Sequence, residues 1–573
     1  MPNNRRKYIR ISTVLPVEFC ILDENDKKIT PWLQGFTHDI GKGGICLIVN
    51  DLWQGFLEKL NRDGTKILLR INIFFHKKII VTTAVIVWTR QEKLQNFRRY
   101  YLGLEILNKN RKEINGLFYY ALFNKFTPKL ITASIAILII FSTAIFLRAA
   151  ILTAENRNLI KKYVAILEKS SSFKDKGESF TGEIAALDQE RKQISKQIID
   201  GVYLWIKNRQ DLTSGLVLSY EGDRNLKKMS FTYDQALAAI TFVIFKDNQR
   251  AEKILDFYLT RVNRGEKIYN AYYTGGECAE YVVHSGPNAW IGLAVLDYYK
   301  ETKNPKYLPV AEKVADFLLG MMDSEGGIKG GPTVEWYATE HNLDAYAFFD
   351  SFYKITGEQK YLTARDKVKK WIEKYAYTSY GPPVLRGKGD ATIATDTYAW
   401  SVTAFGPEEL FSMQMNPDRI LEFAIENCEV CVRFKRKEGE VLVKGFDFAK
   451  FKNMARGGVI SCEWTAQMIL SFEIMADFYK NKDADKYKHY LNQAIFYFTE
   501  MQKMLITSPS KIGREDPCFP YASSASVDTG HGWRTPEGDK TGSLSSTAYF
   551  LIAYKGYNPL RGEYLKLSLK SDL

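Results

Sequence analysis

The sequence predicts a multidomain chain: a small all-β barrel, then one transmembrane helix, then an all-α toroid of six helical hairpins, an (α/α)6 arrangement. Three observations predict it. Residues 11–107 alternate apolar and polar positions in short runs parted by turn residues. Residues 130–147 carry no charge at all. From about residue 155 the apolar spacing turns helical, and connections alternate between short and long. The expected boundaries are 1–125 for the barrel, 129–150 for the span, 151–180 for a helical linker and 181–560 for the toroid.

Bulk composition bounds the reading. The chain has 573 residues, 46% hydrophobic and 25% charged, which is ordinary for folded protein. Net charge is +13, but residues 1–128 hold 21 Lys and Arg against 11 Asp and Glu. The basic surplus therefore sits at the N-terminal end, where an anionic partner is expected. Only six histidines occur, with no HxxxH pair, so no catalytic metal is expected. Seven cysteines are too few for a disulfide scaffold.

The barrel comes first. Its runs are "VLPVEFCIL", "GGICLIV", "KILLRINIFF", "KIIVTTAVIVW" and "YLGLEIL", with "DENDKK" and "NRDGTK" as turns. Two further stretches stand out: Arg5-Arg6-Lys7-Tyr8-Ile9-Arg10, and Asp39-Ile40-Gly41-Lys42-Gly43-Gly44. They resemble the RRxxxR and D/N-x-S-x-x-G signatures of the PilZ domain, and "YYLGLEIL" resembles its last strand. The resemblance covers residues 1–107 and implies binding of cyclic di-GMP as a regulatory ligand. It points to Arg5, Arg6, Arg10, Asp39, Gly41 and Gly44 as the nucleotide-binding set. The chemistry suits them. Guanidinium forks grip phosphates and stack on guanine faces, Asp39 can accept from a guanine edge, and Gly43-Gly44 let backbone approach a ligand. Gly41 stands where the signature has Ser, so one hydroxyl contact is lost.

The span is next. Leu130–Leu147, "LITASIAILIIFSTAIFL", lies between Lys129 and Arg148 and is about long enough to cross a bilayer. Lys109, Arg111, Lys112, Lys125 and Lys129 precede it, so the positive-inside rule expects a cytoplasmic N-terminal part and an extracytoplasmic C-terminal part, single-pass in the inner membrane.

Beyond it, twelve helical stretches are expected, starting near residues 182, 233, 247, 287, 306, 341, 358, 394, 408, 463, 484 and 543. "YYKETKNPKYL", "FYKITGEQKYL" and "FYKNKDADKYK" align without gaps and mark tight turns; Gly-rich loops such as "SEGGIKGGPTVEWYATEHN" join the pairs. A linear repeat array would have a period near 34 and uniformly short loops, which these are not. The pattern resembles the six-hairpin glycosidase superfamily, over roughly residues 180–560. That superfamily includes hydrolases, lyases and epimerases, places its cleft at the long-loop end and uses two carboxylates.

Acids stand where long loops meet helices: Asp234, Glu280, Glu340, Asp396 and Glu463. Glycoside hydrolysis needs one carboxyl to protonate the leaving oxygen and a second to activate water or attack the sugar. Helix capping is the alternative for Asp234 and Asp396. Glu340 and Glu463 are the leading pair, because Thr339 already offers a cap beside Glu340 and Glu463 lies between Cys462 and Trp464. His341, Asn342 and Asp344 are expected to line the cleft, with Trp290, Trp336, Trp400, Trp464 and Trp533 as sugar-stacking walls. The expected function is a cyclic di-GMP-responsive, membrane-anchored, carbohydrate-active protein that hydrolyses or remodels a polysaccharide. The alternatives are a non-catalytic glycan-binding assembly component, or a uronic-acid lyase or epimerase drawing on Arg386, Lys388, Arg456 and Arg534. Expected partners are cyclic di-GMP, the polysaccharide, a lipid bilayer and a polysaccharide synthase or secretion complex; nucleic acid is not among them.

Overall fold

The computed structural model describes residues 10–12, 14–50, 65–71, 79–93, 98–107, 116, 118–119, 154–165, 181–436, 439–507, 516–537 and 541–566. The chain divides into two compact units.

In the first unit seven strands form one sheet: β1 (Arg10–Ser12), β2 (Pro16–Ile21), β3 (Leu33–Gly41), β4 (Gly44–Asn50), β5 (Lys66–Ile71), β6 (Ile80–Lys93) and β7 (Arg98–Ile106). The order is β1-β3-β2-β5-β6-β7-β4, and β4 pairs back onto β3, so six strands close a barrel with β1 added beside β3. Period-two alternation builds it. Along β5, Ile67, Leu69 and Ile71 point inward to meet Val17, Phe19, Ile21, Leu102 and Leu104, all fully buried. Each such side chain contributes roughly 1.5–3 kcal/mol of burial.

Among the described residues of the second unit, twelve helices form six hairpins. They are α1 (Thr181–Asn208), α2 (Thr232–Ile244), α3 (Asn248–Asn263), α4 (Ser285–Thr302), α5 (Leu308–Met321), α6 (Thr339–Thr356), α7 (Gln359–Tyr375), α8 (Thr395–Ser412), α9 (Pro417–Cys428), α10 (Cys462–Tyr479), α11 (Ala484–Gln502) and α12 (Leu544–Tyr554). The even-numbered helices touch in succession, and α12 returns to α2, so they close an inner ring; the odd-numbered helices pack outside it. The inner helices are apolar nearly all round, as expected of helices enclosed on every side. Outer helices such as α7 bury one stripe, here Tyr361, Ala364, Val368, Trp371 and Ile372. Because every inner helix follows an outer one, all six inner N-termini lie at one end with the long loops.

Two loops show how local chemistry repeats. Asp211 Oδ1 accepts from Thr213 and Ser214 N–H at 2.9 Å, and Asp323 Oδ1 accepts from Glu325 and Gly327 N–H at 2.9 Å. Each turn ends in a glycine with positive φ, Gly215 (78°) and Gly326 (94°). A Cβ there would lie 2.4 Å from Lys253 O and 2.5 Å from Lys367 O, so only glycine fits.

Several expectations are corrected here. Among the described residues no helix is long and apolar enough to cross a membrane. The long apolar helices α4 and α10 are interrupted by buried Asn288 and Asp297, and by Glu463, Gln467 and Glu473, which pack within protein. Leu130–Leu147 itself lies outside the described residues. The transmembrane part of the fold class, the single-pass inner-membrane placement and the bilayer partner are therefore not carried forward. A helix over 154–165 packs Ile160, Tyr163 and Val164 into the toroid's core rather than acting as a bare linker. The fifth outer helix begins at Pro417, not near 408, because Gly406 (φ 73°) and Pro407 kink α8 instead of ending it. Cys428 ends α9, and Cys431 lies on a hairpin of strands Glu429–Arg436 and Gly439–Phe446 that the apolar spacing did not announce.

Candidate functional site

Four of the five candidate acids start inner helices: Asp234 on α2, Glu340 on α6, Asp396 on α8 and Glu463 on α10. Glu280 sits instead on a short strand, Cys278–Glu280, in the loop before α4. Asp234, Asp396 and Glu463 are 3%, 5% and 6% exposed, and Glu340 is half-buried. Water is thus largely stripped from a ring of carboxyls at one mouth, and removing water disfavours the ionised form.

Glu340 and Asp396 are neighbouring carboxyls, each acting on the other's proton. Burial, then the charges of Asp396 and Asp344, hold the Glu340 carboxyl well above its usual range. Burial also raises Asp396, to about 6, while the Arg386 guanidinium and the Thr397 N–H, which donates to Oδ1 at 2.7 Å, stabilise its ionised form. The pair thus holds its proton on Glu340, the arrangement expected of two carboxyls too close to ionise together. Glu463 is held separately. Tyr233 Oη donates to its Oε1 at 2.7 Å, Gln467 Nε2 donates at 3.2 Å, and the Ser545 hydroxyl of α12 faces it. Burial pushes it up to about 7, and the nearby Asp396 charge adds to this. Asp234 is raised to about 8, by burial first and by Glu463.

One turn below Glu340, Asp344 is 1% exposed and accepts from Trp400 Nε1 at 2.7 Å. The Trp290 indole stands near the same carboxyl without closing a second hydrogen bond. Trp290 packs edge-on to Trp400 (5.9 Å) and to Tyr233 (5.3 Å), and Tyr549 lies 6.1 Å from Trp400. These four rings form the aromatic floor of the mouth. Trp290 and Trp400, 1% and 3% exposed, are buried too deeply to stack on a sugar face, which corrects the expectation for them. Trp464 is 6% exposed and packs on Phe448 at 5.0 Å. Trp336 and Trp533 fall in segments 333–336 and 528–534 of the first unit, so neither is assigned to this mouth.

Asn342 is corrected too. Fully buried, its Oδ1 accepts from Ile328 N–H at 2.8 Å and its Nδ2 donates to Ile328 O at 3.1 Å and Ala338 O at 2.8 Å. It pins the preceding loop to α6. Gln235 does the same on α2, holding Val217 through N–H and C=O at 2.7 Å each. Asn342→Ala should strand both backbone groups of Ile328 and lower stability by roughly 2–4 kcal/mol, checked by denaturant unfolding. His341 lies 6.2 Å from His284, and a Cβ on Gly286 would meet its ring at 2.4 Å. Burial lowers the two imidazoles to about 3 and about 4, so both are neutral at physiological pH.

Tyr233, Gln467, Ser545 and Tyr549 complete the site and were not among the sequence candidates. Tyr233 adjoins Asp234 in "FTYDQAL", a position that could have been read; the sixth inner helix starts "SLSSTAYF" without an acid and gave no signal.

In the first unit, Arg10 Nη1 donates to Asp39 Oδ1 at 2.7 Å, and His38 Nδ1 lies 3.1 Å from Asp39 Oδ2. Arg10 pairs in register with Gly41, and Gly41 with Gly44, so both signature stretches meet on neighbouring strands. Gly44 has a packing reason for being glycine: a Cβ would lie 2.1 Å from Leu104 O. Arg5 and Arg6 lie outside the described residues. Among the described residues, His38, Asp39 and Cys46 bring three ligand-type atoms within 4.8 Å of one another. Arg10 already pairs with Asp39, and its charge opposes a metal cation there.

The PilZ domain family model matches residues 4–121. No curated protein matches the chain. Among solved structures, an unsaturated glucuronyl hydrolase from Streptococcus agalactiae is similar at 13% identity and a TM-score of 0.46, covering 65% of this chain and 92% of its own. A glycosidase is similar at 11% identity and 0.44, covering 62% and 95%. A cellobiose 2-epimerase from Bacillus thermoamylovorans is similar at 10% and 0.43, covering 62% and 98%.

Proposed function

We propose that the chain is a cyclic di-GMP-responsive, carbohydrate-active enzyme that hydrolyses a polysaccharide at the mouth of its helical toroid. The observation that carries this reading is the division of labour among the mouth carboxyls. Glu340 keeps a proton through its contact with Asp396, and Glu463 is held apart by Tyr233 and Gln467. Glu340 is then the acid that protonates the leaving oxygen. Glu463, in the ionised form it takes above about 7, is the base or nucleophile, and Asp396 is the positioning residue that sets the Glu340 proton. Arg10, Arg6 and Asp39 are proposed to hold cyclic di-GMP.

The lyase or epimerase reading finds less support. Arg456 is spent on buried Asp447, at 2.6 and 2.8 Å. Lys388 pairs with Glu325 at 2.9 Å, Arg386 at the mouth is shared between Asp390, at 3.1 Å, and the Asp396 charge, and Arg534 belongs to a segment of the first unit. Tyr233 and Tyr549, the tyrosines of the mouth's floor, are held well above their usual range by burial and by Glu463, which suits them poorly as bases. The test is release of reducing ends from a panel of neutral and uronic polysaccharides by the full chain, with and without cyclic di-GMP. Activity on a neutral polymer supports hydrolysis. Unsaturated products from a uronic polymer would replace that reading with a lyase.

The buried acids also set a stability profile. An Asp234 carboxyl raised from 3.8 to about 8 in the folded state takes up protons on folding anywhere between those values. The contribution of Asp234 to stability should therefore be fully present below about pH 4 and be lost as pH rises toward 8. Asp234→Asn should raise the unfolding temperature at pH 8 and leave it nearly unchanged at pH 4, as read by calorimetry at the two pH values.

A further inference from the structure

A second feature lies away from the mouth, on the outer surface of the toroid. Helix α11 buries Tyr490, Ala494, Tyr497, Phe498 and Met501 in the core. Its other face carries His489, Asn492, Gln493 and Phe496, spaced i, i+3, i+4, i+7, so the four stand in one stripe. That stripe meets the hairpin Glu429–Phe446, whose Glu429 and Lys444 form the opposite side. Between them is a cavity of about 380 Å³, at the lower end of the roughly 300–1,000 Å³ found for small-ligand sites.

The groove is held in shape from beneath. Lys444 N–H donates to Glu500 Oε2 at 2.8 Å, Tyr497 Oη donates to Glu429, and Phe446 packs on Tyr497 at 4.7 Å. The groove's own polar groups are left over. Among the described residues the side chains of His489, Asn492 and Gln493 have no hydrogen-bond partner, and Phe496 is 41% exposed. Glu429 and Lys444 lie 3.6 Å apart and neutralise each other.

This inventory selects a ligand by chemistry. A phosphate would need an uncommitted cation, and the single lysine is already paired. An apolar ligand would need mostly apolar walls, and beside Ile425, Phe496 and Tyr497 the lining carries two amides, an imidazole and an ion pair. Hydroxyl-rich, uncharged rings need groups that both donate and accept, together with one ring face for their C–H side, and the groove supplies both. We propose that this groove is a second glycan-binding site, taking a short stretch of a neutral oligosaccharide on Phe496 with hydroxyls bound by Asn492, Gln493 and His489. It stands independently of the carboxyls at the mouth and would hold a polymer on the enzyme while its chain is cut elsewhere.

The test uses the full chain carrying Glu463→Gln, to prevent turnover, with cellohexaose, mannohexaose and chitohexaose at millimolar concentration. Hydrogen exchange should slow in peptides spanning 429–444 and 489–496 with at least one of the three. Phe496→Ala should weaken that binding about ten-fold, and Asn492→Ala should weaken it as well. Both side chains are exposed, and circular dichroism verifies that each variant stays folded. If none of the three sugars slows exchange in those peptides, or if both variants bind like the parent, the site is refuted. Sugar-dependent protection at the mouth alone would refute it while leaving the catalytic reading in place.

Discussion

Glu340→Gln and Glu463→Gln should each cut polysaccharide hydrolysis by about 10²–10⁴-fold, the range expected when a positioned acid or base is removed. The losses should differ in kind. Glu340→Gln cannot supply a proton, so its residual activity should recover on substrates whose leaving group needs none, such as activated aryl glycosides. Glu463→Gln lacks the attacking or activating carboxylate and should stay inactive on both. Asp396→Asn should act through Glu340: without the neighbouring charge the Glu340 proton is held less tightly, and the alkaline limb of the pH–rate profile should move down. Folding should be little affected, because these groups sit at helix starts at the mouth. Activity measured on both substrate types, with unfolding curves for each variant, checks all three.

Arg10→Ala should weaken cyclic di-GMP binding about ten-fold or more, since a hydrogen bond to a charged phosphate contributes roughly 1.5–3 kcal/mol. It also frees Asp39, which Arg10 holds at 2.7 Å. Asp39→Ala should therefore weaken binding less than Arg10→Ala does, because it releases the guanidinium for phosphate even as it removes an acceptor. Calorimetry on the full chain separates the two. Lack of measurable heat in the unmodified protein at high micromolar nucleotide would mean that Gly41, standing where the signature has Ser, marks a domain that has lost its ligand.

Much of the architecture was legible because it depends on periodicity. Period-two runs gave the barrel strands, and helical runs gave helix starts within a few residues for most of the toroid. The hairpin Glu429–Phe446 was legible in principle, since "VCVRF" and "VLVKGF" flank a turn, but its first strand follows α9 without a break and nothing in the spacing marks the change. The ring's closure was not written locally, since α12 meets α2 across some three hundred residues of chain.

For the site, position was legible and role was not. That acids at inner helix starts share one end follows from the alternation of helices alone. That Asn342 pins a loop, that Trp290 and Trp400 lie under the mouth, and that Tyr233 and Ser545 flank Glu463 depend on neighbours brought together only by the ring. An amide beside an acid reads the same in sequence whether it faces a ligand or its own backbone. Gly44 teaches the same lesson in the barrel: a signature glycine can be required by a neighbouring carbonyl as much as by a ligand.

The central claim, that the mouth carboxyls act on a glycosidic bond, is tested most directly by a crystal structure of the Glu463→Gln chain with a bound oligosaccharide substrate. The account predicts a glycosidic oxygen within hydrogen-bonding reach of Glu340, the anomeric carbon facing residue 463, and the two side chains about 5–10 Å apart. Sugar bound only on the outer surface with the mouth unoccupied, or side chains at 340 and 463 separated by more than about 12 Å and so beyond catalytic range, would contradict it.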